Sequence, residues 1–179
     1  MEYYDSEPSV EGGNYPNVAR LFGEPPTPIN WNILTADEAD FAWHDLDHYL
    51  KWLKAAYGLA PAILPPYWHA HDELVWELSA LHTDWLACYH ETASPSAPIG
   101  WMRDFGESKH RLREWVSTSG TRLDRDRPTR QTPWPGEPDE PTRGEVVIID
   151  RDLEFEEFVR QDVLRRRRIE AQVAQTLSA

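Results

Sequence analysis

The chain has 179 residues, a mean hydropathy of -0.66 and a formal net charge of -13. That length suits one packed domain with extended flanks, and 15 prolines argue that part of it stays outside any core. No run approaches the ~20 apolar residues of a membrane helix, and the acidic start lacks the layout of a signal peptide, so a cytoplasmic protein without membrane contact is expected.

Cys88 is the single cysteine, which excludes an internal disulfide or a thiolate zinc site, and its setting beside Trp85 and Tyr89 reads as packing. Acids outnumber bases through residues 1–119, whereas residues 120–179 are nearly balanced. Phosphate repulsion therefore disfavours direct nucleic-acid binding by the acidic domain, the Arg-rich tail excepted.

Residues 1–30 hold Gly12-Gly13, Pro25-Pro26 and Pro28 among scattered acids, and are expected to form a disordered or loosely attached leader. Tyr3, Tyr4, Val18, Leu21 and Phe22 are its docking candidates, and Pro16 to Phe22 has the composition of a helical turn. Order is expected from Trp31, because Thr35 and Glu38 have the spacing of a capping box. A first helix follows, with Trp43, Leu46, Leu50, Leu53 and Tyr57 as its apolar stripe and Gly58 as its left-handed cap.

Pro61, Pro65 and Pro66 make Leu59–Pro66 a rigid corner. A second helix is predicted from about His69 to Tyr89, with Asp72 and Glu73 in its first turn and a stripe of Leu74, Leu78, Leu81, Trp85 and Cys88. The third carries Trp101, Phe105, Ser108, Leu112 and Trp115 and ends near Gly120. Residues 121–144, rich in proline and charge, read as a linker without fixed fold. Glu145–Ile149 has the composition of a short strand, with no strand candidate to pair with it. From about Asp152 a further helix presents Phe155, Phe158, Val159, Val163 and Leu164, then Arg165-Arg166-Arg167-Arg168, then Ile169, Val173 and Leu177.

The expected fold is all-α: a small Trp-rich three-helix bundle over residues 31–120, flanked by the leader (1–30), the linker (121–144) and a C-terminal amphipathic helix (145–179) for docking or oligomerisation. Docking on the bundle, pairing with a second copy, or capture by a partner protein would each cover that helix. Phe155, Phe158, Val159 and Val163 are its candidate contact residues, with Arg165, Arg166, Arg167 and Arg168 as a solvated face or a grip for acidic protein or RNA.

The block from Trp43 to Trp115 carries Leu64-Pro65-Pro66, Trp68, His71, Glu77-Leu78, Ala80-Leu81, Trp85, Tyr89, Trp101 and Arg111 to Trp115. In these positions it resembles a family of actinobacterial proteins of unknown function, often encoded on plasmids, phages and integrative elements. Tyr67 stands where many of those relatives are expected to have Cys. The resemblance implies an accessory or regulatory role in a mobile element, marks Pro65, Pro66, Trp68, His71, Glu77, Trp85, Trp101 and Trp115 as structural positions, and brings no activity with it.

Two constellations have chemical potential. His44 and His48 lie one turn apart on the first helix and are a candidate divalent-metal site with help from His69, His71 or Asp47; a polar helix face is the plainer reading, and on it no cofactor is expected. His71 stands at a helix start, where the dipole favours a neutral base, or else it caps the helix or braces the corner. Glu77 and Glu114 are candidate carboxylates, or ion-pair partners of Arg111 and Arg113. Phosphate-loop and nucleophile-elbow signatures are missing from the sequence. The expected function is thus that of a non-enzymatic interaction protein binding a partner through its C-terminal helix, the alternative being a metal-dependent hydrolase or nucleic-acid-processing enzyme built on the four histidines.

Overall fold

The computed structural model describes residues 18–138 and 144–178, so the expected docking of Tyr3 and Tyr4 lies outside it. Four helices dominate: α1 (Ala36–Tyr57), α2 (Asp72–Cys88), α3 (Ala97–Ser119) and α4 (Arg151–Leu177). The all-α class is as expected, and among the described residues no helix is long and apolar enough to cross a membrane.

Local chemistry sets the helix ends where the spacing placed them. The Thr35 hydroxyl accepts from the Glu38 N–H at 3.3 Å while Glu38 accepts from the Thr35 N–H at 2.8 Å, closing the capping box of α1. Gly58 and Gly120 end α1 and α3 at φ of 59° and 81°, a region that costs any residue with a Cβ. A Cβ at Gly120 would also run into the Arg127 guanidinium. The second helix starts later than predicted: Trp68–Ala70 form a tight 3-10 turn, and α2 begins at Asp72.

α2 packs chiefly on α3, and α1 chiefly on α4. The α1–α4 pair is antiparallel, since Arg151 meets Asp47 near the start of α4 while Glu170 accepts from the Ala36 N–H at 2.6 Å near its far end. Phe155, Val159 and Val163 join the same core as Leu46, Leu50 and Trp68. Each such burial removes apolar area worth about 1.5–3 kcal/mol. The indole of Trp43 donates to Asp162 at 3.0 Å, so the indole N–H is satisfied where it meets α4.

Three corrections follow. The leader docks through Leu21 in a helical turn (Val18–Leu21), as expected, but it is held more firmly than a loose attachment: Ile29 also packs on the core, Arg20 pairs with buried Asp45, and the Glu91 N–H donates to the Leu21 carbonyl at 2.9 Å. The segment expected as a structureless linker supplies β1 (Arg125–Asp126), which pairs antiparallel with β2 (Val146–Val147). A two-residue strand of charged side chains has no apolar alternation by which sequence could mark it. Finally, Trp115 is 43% exposed and Val116 takes the buried position, because the α3 stripe runs Trp101, Phe105, Ser108, Leu112, Val116.

Candidate functional site

The Pro-Pro corner delivers His71 to the start of α2 at 1% exposure. The imidazole makes no capping bond to the helix. Instead Nε2 lies 2.8 Å from Asp126 Oδ1 and Nδ1 lies 2.9 Å from the Thr129 hydroxyl, which in turn donates to Glu73 at 2.5 Å. Asp126 is itself buried, so this pairing pins the strand after α3 to the base of α2. In outline, hydroxyl, imidazole and carboxylate make a nucleophile relay. The hydrogen bonding argues otherwise: the Thr129 hydroxyl donates to Glu73, so its hydrogen is directed away from the imidazole that would have to take it. Both ring nitrogens are engaged by neighbouring side chains and the imidazole is buried, so neither nitrogen is turned to an open space as a base at this position would require. The cluster is a latch.

The four imidazoles do not assemble, which corrects the metal site. His69 turns into the apolar seam with α4, its ring 5.3 Å from that of Phe155 and 5.0 Å from that of Phe158. Burial, aided by the Arg151 cation, pushes its pKa down to about 3, and its Nδ1 has no partner. His44 lies exposed on α1, with Nδ1 2.8 Å from the Asp40 carbonyl and Nε2 3.3 Å from Glu156. Partial burial opposes its charged form, and these two acceptors outweigh it to raise the pKa. His48 stands exposed further along the same helix. Among the described residues no group of three or more His, Cys, Asp or Glu side chains could hold a metal ion.

A separate histidine, flanking the α2 stripe, is buried. His82 stacks on Tyr49 at 4.2 Å and lies 3.8 Å from Asp45. Burial pushes its pKa down to about 4, against the pull of Asp45. Trp85 and Trp101 are core, Trp101 donates to the Leu81 carbonyl at 3.4 Å, and Glu77 holds Arg111 of α3 in a bidentate pair at 2.8–3.1 Å. Pro65 and Trp68 are buried, and the half-buried Pro66 receives Arg151 on its carbonyl.

The expected partner face of the C-terminal helix is also corrected in part. Phe155, Val159 and Val163 are buried against α1 and Phe158 is packed on the core, which removes them as an open surface. Arg166 joins Asp162 and the Leu34 carbonyl, Arg165 joins Asp162, and Arg167 reaches Asp37 at 3.2 Å. Arg168 and the described residues after it, to Ser178, are exposed. Comparison with protein-family models, curated proteins and solved structures finds no match to this chain.

Proposed function

We propose that this chain is a non-enzymatic interaction protein whose partner-binding element is the projecting end of α4. One observation carries the reading. α4 is docked as far as Glu170, the residue that meets the first N–H of α1, and every described residue beyond it is exposed. Ile169, Val173 and Leu177 recur every four residues along that end at 48%, 53% and 83% exposure. Two turns of helix with an apolar stripe match the helix-in-groove mode of recognition. Ala171, Gln172, Ala174 and Gln175 keep the stretch helical without tertiary support.

The partner that fits is an apolar groove or helix with an acidic rim for Arg165 and Arg168, supplied by another protein or by a second copy. The mobile-element setting implied by the Leu64 to Trp68 corner belongs to this proposal as its biological context.

Light scattering on the full chain, beside a Val173→Asp, Leu177→Asp variant, is the test. A dimer lost in the variant at unchanged melting temperature supports self-association. A monomer whose purified partner is released by the variant supports a foreign protein. Association that survives both substitutions overturns the reading.

A further inference from the structure

A cleft of about 700 Å³ opens on the opposite end of α4, well within the roughly 300–1,000 Å³ typical of ligand sites. Its walls come from segments far apart in sequence: the last turns of α1, the corner from Pro61 to Pro66, Leu123 beyond α3, and the first turn of α4. Leu50, Leu59, Leu64, Trp68 and Leu123 make the lining apolar. The three prolines of the corner have no N–H to offer a ligand.

The polar groups at the mouth are nearly all engaged. Lys51 Nζ stands 3.1 Å from both Asp47 and Asp152, and Arg151 pairs with Asp47 and, at 2.8 Å, with Asp152. Two cations and two carboxylates thus close into a ring that is neutral in sum. The Pro66 carbonyl accepts from Arg151, and the Lys54 carbonyl accepts from the N–H groups of Gly58 and Leu59. What is left over is the Lys54 ammonium. It lines the same cleft and pairs with no carboxylate among the described residues.

We infer that this cleft binds a small amphipathic carboxylate, with its apolar body on Leu59, Pro61 and Leu123 and its anionic group on Lys54. The alternatives fit less well on charge. A cationic amphiphile meets the Lys54 ammonium with no surplus carboxylate to receive it. A phosphate ester of higher charge finds a single uncommitted cation among the described residues that line the cleft. A neutral chain gains the apolar area alone and leaves the ammonium to water. The site is independent of the projecting end of α4, so either reading stands without the other.

Octanoate, 1-octanol and octyltrimethylammonium titrated into the full chain by calorimetry test the inference. Octanoate is expected to bind, 1-octanol to bind more weakly, and the ammonium amphiphile to give no heat. Lys54→Gln should weaken octanoate roughly tenfold or more and leave 1-octanol unchanged, as for the loss of one charged contact. Leu123→Asp should weaken octanoate and 1-octanol alike. Lys54 and Leu123 are both exposed, and melting curves of the two variants should match the parent. Equal affinity for acid and alcohol, or octanoate binding indifferent to Lys54→Gln, overturns the head-group assignment. No octanoate binding at low-millimolar concentration, or binding unmoved by Leu123→Asp, overturns the site.

Discussion

His71 Nε2 and Asp126 Oδ1 meet at 2.8 Å with both side chains buried, joining residues 55 apart in the chain. Removing one member strands the other in a closed site. Asp126→Ala should cost about 3–5 kcal/mol, as for a broken buried pair, and raise hydrogen exchange across residues 121–130 before the rest of the fold. Urea unfolding with exchange mass spectrometry measures both. A loss below about 1 kcal/mol would mean that water replaces the carboxylate without penalty.

Acid should destabilise the fold through His69 and His82. Burial holds them at about 3 and about 4, below the ordinary 6.5 that they regain on unfolding. Between those limits the unfolded chain binds more protons, so stability is full above about pH 6.5 and falls as pH drops, by up to about 1.4 kcal/mol per group per pH unit. Urea midpoints from about pH 7 to about pH 5 should trace the fall. His69→Leu, which removes the orphaned Nδ1, should make the fall shallower and leave the share of His82.

Phe155, at 1% exposure, anchors α4 to α1. Phe155→Ala should cost about 3–5 kcal/mol. Leu153→Ala, two residues earlier but 69% exposed, should stay within about 0.5 kcal/mol. Equal effects of the two in chemical denaturation would place the α1–α4 seam outside the cooperative core.

The capping box gives a smaller, local effect. Thr35→Ala removes the acceptor of the Glu38 N–H and should cost about 1 kcal/mol, with Ala36 to Asp40 fraying first in exchange measurements.

Signals local in sequence were legible: Thr35 and Glu38 for one helix start, Gly58 and Gly120 for two helix ends, and the stripes of α1 and α2 for most of the core. The apolar side of α4 was equally plain, but which surface would cover Phe155 depends on how α1 lies in space. Trp115 misled because a helical stripe has width, and Leu112 is followed by candidates at both three and four residues. The His71 latch was half visible, since His71 stood out while Asp126 and Thr129 sat in a stretch that composition marks as linker. Lys54 and Leu123 line one cleft only after three separate turns of the chain have been folded.

The antiparallel seat of α4 on α1 also bears on how the protein is made. Trp43 leaves the ribosome 119 residues ahead of Asp162, the acceptor of its indole hydrogen. Through that interval Trp43, beside Trp31 at 4.2 Å and Trp68 at 5.9 Å, lacks the Phe158 ring and the Asp162 acceptor that α4 brings, so its α4-facing flank is uncovered. Contacts so distant in sequence close slowly, and an uncovered apolar flank invites chaperones or a neighbouring nascent chain. Completion of α4 is thus the moment at which synthesis stops being hazardous.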